Sequence, residues 1–127
     1  MSIQVIREQR PGLYCVELRT GKWDEMVRWY REMLGLKVLV RVVDDGYALL
    51  EAGETRIALI SRESPGPLTA RWSLGFEVDN LDRVSQRLVE GGWEVSHPDR
   101  TAEGFREIVT LDPDGNRLRL FAWPEMT

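Results

Sequence analysis

The side chains best suited to chemistry in this chain are one cysteine, one histidine and a few charged residues on strand-like runs. Across Leu13–Thr20 apolar and polar residues alternate with the period of a strand, which places Cys15, Glu17 and Arg19 on one face. The same parity groups Ser73, Gly75 and Glu77 in Trp72–Val78, and Arg117, Arg119 and Phe121 in Arg117–Phe121. Glu17, Glu77 and Arg119 are therefore expected to surround a small concavity. Two chemistries suit such a set. Arg119 can clamp a ligand carboxylate or phosphate, with Glu17 as a general base or as the partner of a ligand amine. Alternatively the charges neutralise one another as an ion-pair cluster, since charges on the inner face of a sheet need partners. Cys15 is either a thiolate favoured by Arg19 or Arg119, or a small buried apolar side chain, the commoner fate of a lone cysteine. His97, beside Pro98, reads as a solvated loop residue and not as a ligand or general base.

The elements that must hold these residues occur twice. Leu13–Thr20 is followed by a helical pattern ending at Gly35, and Trp72–Val78 by one ending at Gly91-Gly92. Asp24 and Asp82 take matching places near the helix starts. Leu50–Leu59 (LEAGETRIAL) parallels Leu111–Leu120 (LDPDGNRLRL). In the first copy Trp23, Met26, Val27, Tyr30 and Leu34 follow helical spacing. Strand-rich runs Leu36–Val43, Tyr47–Leu50 and Arg56–Ile60 follow, punctuated by Asp45-Gly46 and Gly53-Glu54. In the second, Asn80 or Asp79 caps a helix carrying Leu81, Val84 and Leu88. Trp93–Ser96, Phe105–Leu111 and Arg117–Phe121 complete that copy. Ile3, Val5 and Ile6 suit an added edge strand. The reading is a single α+β domain, 1–127, of two tandem βαβββ modules at about 12–66 and 71–122, joined by a linker at about 64–70. One sheet with one helix leaves a face bare, so the pair should form a cup-shaped, partly open mixed sheet with the helices outside.

Composition narrows the function classes. The chain has 127 residues, 43% hydrophobic and 30% charged, the balance of a globular protein. Its longest unbroken apolar runs are four residues, as in Leu13–Val16, so no membrane span is expected. Seventeen basic against twenty-one acidic residues, net charge −4, argue against nucleic acid as a partner. One cysteine cannot close an internal disulfide, and the cytoplasm is the expected compartment.

Three local patterns carry a family resemblance: Trp29-Tyr30 with Leu34-Gly35-Leu36, then Leu74-Gly75-Phe76-Glu77-Val78-Asp79-Asn80-Leu81-Asp82, and Asp112-Pro113-Asp114-Gly115-Asn116. In a doubled βαβββ chain, from about residue 12 to 122, they resemble the vicinal oxygen chelate superfamily, which includes glyoxalase I, extradiol dioxygenases and bleomycin-resistance proteins. The resemblance implies a divalent metal at the base of the cup, held by the first and last strands of each module. Here those positions become Cys15, Ala58, Ser73 and Arg119, so no metal and no other cofactor is expected. The resemblance then implies a glyoxalase- or bleomycin-resistance-like protein binding a small organic ligand in the cup through Cys15, Glu17, Ser73, Glu77 and Arg119. The alternative is a lyase, isomerase or dioxygenase of the same superfamily with an unusual metal site. A homodimer is expected, with Trp23 and Trp29 supplying apolar surface. Trp72, Trp93 and Trp123 are expected to rim the opening.

Overall fold

Strand β1 (Val16–Thr20) passes through Gly21 into helix α1 (Trp23–Glu32). Thr20 is buried, and its Oγ1 accepts the Lys22 N–H at 2.9 Å, tying the strand end to the helix start. Asp24 and Glu25 occupy the first turn, where negative charge suits the helix dipole. Trp23, Met26, Val27 and Tyr30 are buried at the three-and-four spacing of an apolar stripe. Beyond the helix, Gly35 takes a φ of 72°, a left-handed conformation that glycine adopts without strain. Strands β2 (Lys37–Val42), β3 (Tyr47–Ala52) and β4 (Thr55–Ser61) complete the first module. Between β2 and β3, Gly46 has a φ of 60°, and a Cβ there would collide with the Ser61 side chain. Dihedral and close approach both require glycine.

The second module repeats the order with β5 (Leu74–Glu77), α2 (Leu81–Glu90), β6 (Asp99–Arg100), β7 (Arg106–Leu111) and β8 (Arg117–Ala122). Asn80 caps α2 by accepting the Arg83 N–H at 3.0 Å. Residues 62–73 link the modules without helix or strand. The strand orders, β1-β4-β3-β2 and β5-β8-β7-β6, are the same. In each sheet the first strand runs parallel to the last, and the remaining pairs are antiparallel. The protein is thus α+β, two tandem βαβββ modules with partly open mixed sheets, each helix lying outside the cup on the far face of its sheet. This computed structural model describes residues 10–96, 99–100 and 104–123. Ile3, Val5 and Ile6 lie outside the described residues.

Several strand boundaries differ from the sequence reading, two of them with a visible cause. Leu13 and Tyr14 precede β1, and their carbonyls accept from the Thr55 hydroxyl and the Arg56 guanidinium instead of joining a ladder. Trp93–Ser96 contributes one isolated bridge, Val95 to Thr110. There the Ser96 hydroxyl accepts the Val109 N–H at 2.8 Å, a donor that a regular ladder would give to a carbonyl.

One cluster of buried side chains runs through both modules, including Met26, Tyr30, Leu50 and Leu59 from the first and Leu88, Ile108, Leu118 and Leu120 from the second. Trp29 meets Trp93 edge to face, with ring centroids 5.9 Å apart. The Tyr30 hydroxyl donates to Asp112 Oδ2 at 2.6 Å, and the Arg87 guanidinium donates to the Met33 carbonyl at 3.2 Å. Trp23 and Trp29, expected to offer surface to a second copy, are 8% and 3% exposed. They are core because α1 packs on its own sheet and also meets the second module. Trp93 is drawn into the same contact.

Candidate functional site

In each sheet the helix side is fixed by the core residues, and alternation assigns the other side chains to the open face. Ile57, Leu59, Leu50 and Ala48 belong to the core cluster of the first module. Glu17, Ala58 and Leu49, mutually in register across β1, β4 and β3, therefore share the opposite face. In the second module the corresponding row is Gly75, Arg119 and Val109. Parity thus puts Glu17, Glu77 and Arg119 on open faces, with Cys15 and Ser73 just before β1 and β5. Glu17, Ser73 and Glu77 are exposed, while Cys15 and Arg119 are half-buried.

Among the described residues the five sequence-selected residues are divided between cavities. Glu17 and Ser73 line a cavity of about 260 Å³ where the modules adjoin, with Trp72 and Arg117. Glu77 lines another, of about 320 Å³, with Leu36, Ala52 and Gly75. Arg119 and Cys15 line neither. The guanidinium of Arg119 is engaged by Glu107 on β7: Nε donates to Glu107 Oε2 at 2.9 Å and Nη2 donates to the same oxygen. The expected grouping of Glu17, Glu77 and Arg119 is therefore corrected, since the carboxylate on Arg119 comes from the neighbouring strand. The reason is register. Val109 faces Arg119 and Glu107 faces Phe121, so Glu107 stands diagonally across from Arg119 on the same face. Glu107, the one carboxylate of the β7 run, was the signal for it. Nη1 stays free of that pair, and a Cβ at Gly75, the register partner of Arg119, would find no atom within 4 Å. Room and donors remain beside the guanidinium.

Aromatic side chains flank both parts of the face. Trp72 is 74% exposed beside the junction cavity. Phe105, Phe121 and Trp123 form a cluster with ring centroids 5.1 to 5.8 Å apart, so Trp123 faces solvent but leans on its neighbours. Near Cys15, the Tyr47 phenol is pushed above its ordinary range, by burial first and then by Cys15, Tyr14 and Glu17. A groove of about 810 Å³ lies along Trp93–Ser96 and the Asp112–Gly115 turn. Asp112 shapes that turn: Oδ1 accepts the Asp114 and Asn116 N–H groups at 3.0 and 2.9 Å, and Oδ2 accepts from the Asn116 amide and from Tyr30. His97 lies outside the described residues. Among the described residues no three His, Cys, Asp or Glu side chains gather into a group that could hold a metal ion. Among them, too, no helix is long and apolar enough to cross a membrane.

Known proteins share this architecture. The chain is 27% identical over 123 residues to the uncharacterized protein YraH of Bacillus subtilis (strain 168), covering 86% of this chain and 96% of that protein. Its fold is similar to that of TnmS3, an antibiotic binding protein from Streptomyces sp. CB03234, with a TM-score of 0.77, 20% identity, and coverage of 93% of this chain and 100% of that one. It is also similar to lactoylglutathione lyase from Agrobacterium tumefaciens, with a TM-score of 0.70, 17% identity, and coverage of 91% and 96%. A binder and a lyase on one scaffold show that fold alone does not decide activity. The model of one family matches residues 12–120, spanning both modules and the link between them. With the doubled βαβββ order and the matching strand sequence of the two sheets, it follows that this chain belongs to the glyoxalase/bleomycin resistance protein/dioxygenase superfamily.

Proposed function

We propose that the protein binds a small organic ligand in the cup without a divalent metal, and that Arg119 takes an anionic or carbonyl oxygen of that ligand. The carrying observation is the Arg119 guanidinium, steadied by Glu107 at a last-strand position where the family resemblance implies a metal carboxylate. Cys15, Ala58, Ser73 and Arg119 do not fit a divalent metal. They offer one thiol and one hydroxyl, while Ala58 has no donor atom and Arg119 brings a cation to where a cation would sit. A guanidinium meets the same substrate oxygens directly through parallel donors. Glu17, Ser73, Glu77 and Cys15 line the remainder of the binding face in this reading.

The test is a thermal-shift screen of small acids, ketones and aromatic antibiotics, followed by titration of the best binder. Arg119→Ala should weaken that binder about tenfold to a hundredfold, with Arg119→Lys recovering part of the loss. Unchanged affinity with lowered thermal stability would make Arg119 a structural ion-pair partner only. Stoichiometric zinc, nickel, iron or manganese in protein purified without a metal-affinity tag would sink the metal-free reading. Restoring donors with Cys15→His, Ser73→His and Arg119→Glu together should create metal affinity. We also propose a homodimer, supported by the apolar edge exposed at Leu39, Val40, Val42 and Val43. A clean monomer at micromolar concentration in sedimentation would overturn it.

A further inference from the structure

The residues around the junction cavity include two of opposite charge, contributed by different modules. Glu17 comes from β1 and Arg117 from the start of β8, and both line the same space of about 260 Å³. Among the described residues neither one takes part in an ion pair. This separates them from Arg119, whose charge is answered by Glu107 within its own sheet. Trp72 lines the same space and is 74% exposed at its side. Volume limits the occupant, since drug-sized ligands fill pockets upward of about 300 Å³.

We infer that this cavity takes the head group of an amino-acid-like zwitterion, its ammonium on Glu17 and its carboxylate on Arg117, with Trp72 against its apolar part. The inference rests on the small-molecule reading of the cup and names the ligand's class. A purely anionic ligand would satisfy Arg117 and crowd Glu17, and a purely cationic one would do the reverse. Only a molecule carrying both charges pairs both residues, and charge-assisted hydrogen bonds are the strong ones. Arg119 lies two residues along β8 on the same face, about 7 Å away. A ligand longer than its head group therefore reaches Arg119 with a carbonyl or second anionic group.

The experiment compares L-phenylalanine with phenethylamine, which keeps only the cation, and 3-phenylpropionate, which keeps only the anion, by calorimetric titration of the full chain. L-phenylalanine should bind at least about tenfold more tightly than either. Glu17→Gln should weaken L-phenylalanine and phenethylamine but spare 3-phenylpropionate. Arg117→Gln should weaken L-phenylalanine and 3-phenylpropionate but spare phenethylamine. Both positions are exposed, so the variants should fold as the parent does. Equal binding of the three probes overturns the inference, as does an equal loss for all three in either variant. So does failure of L-phenylalanine, L-tyrosine and L-tryptophan alike to bind at millimolar concentration. If another screened molecule then binds through Arg119, insensitive to Glu17→Gln and Arg117→Gln, the small-molecule reading survives and the zwitterion does not. If nothing screened binds, both fall.

Discussion

The two modules share one topology but line their open faces differently. In the first, the middle of the face carries Leu49, Ala58 and Ile60, with Tyr47 beside them, and the three aliphatic residues are buried. In the second, the equivalent places hold Val109, Arg119, Phe121 and Glu107, all half-buried. Duplication supplies two identical frames, and side chains on the outward alternate positions can diverge without disturbing the helix-side core. The middle of one half of the cup has become apolar, while that of the other carries an ion pair. Such a pair suits a ligand with an apolar body and a polar end better than a symmetric cup would.

Changes at three places break or sharpen this contrast. The largest effect is expected from giving the first module the second module's residue. Ala58→Arg would place a guanidinium at a position with no exposure, diagonally across from Tyr47 where Arg119 has Glu107. An uncompensated buried charge of this kind costs about 3–5 kcal/mol. Urea unfolding should show that loss, and Ala58→Arg with Tyr47→Glu should recover part of it. A loss below about 1 kcal/mol would mean that the first face is as open as the second.

Next comes the contact that holds the unlike halves together. Tyr30→Phe removes a buried hydroxyl donating to a carboxylate and should cost about 1.5–3 kcal/mol. Burial, then the Asp112 charge, then its hydrogen bond and the Asp114 charge hold the Tyr30 phenol well above its ordinary range. Its contribution is therefore complete below about pH 10, where the unfolded tyrosine is also neutral. Above that the unfolded chain loses a proton that the folded one keeps, so stability falls by up to about 1.4 kcal/mol per pH unit. Tyr30→Phe should flatten that alkaline slope. We propose that both modules unfold together as one domain, 1–127, and two separated urea transitions would overturn this. The smallest effect is expected at Arg119 and Glu107. Their side chains are 38% and 22% exposed, so either single change to leucine should cost about 1 kcal/mol. Changing both removes the unpaired charge and should recover most of that stability, making the second face resemble the first.

Much of the fold was legible because its signals are local. The change from strand to helical period, the turn glycines at Gly35 and Gly46, and the Asn80 cap each act within a few residues. The repeated order of elements along the chain followed from reading the pattern twice. What the sequence left hidden depends on register or on contacts between modules. Glu107 becomes the partner of Arg119 only once β7 and β8 are aligned. Trp23 and Trp29 look like surplus on an amphipathic helix until the second module meets α1. The open-face assignments of Glu17, Glu77 and Arg119 were readable from parity, but which pocket each one enters was not, because that depends on how two sheets adjoin.

The Trp29–Trp93 contact gives the molecule an optical gauge of its own assembly. One indole belongs to each module, and their rings meet edge to face inside the protein. Coupled indoles held at a fixed angle produce near-ultraviolet circular dichroism that vanishes when the pair separates. Among the described residues the buried Trp29 indole N–H has no acceptor, so its emission should sit toward the blue and shift red as soon as water reaches it. Docking of the two halves can therefore be followed in unlabelled protein, separately from the far-ultraviolet signal of the strands and helices in each half.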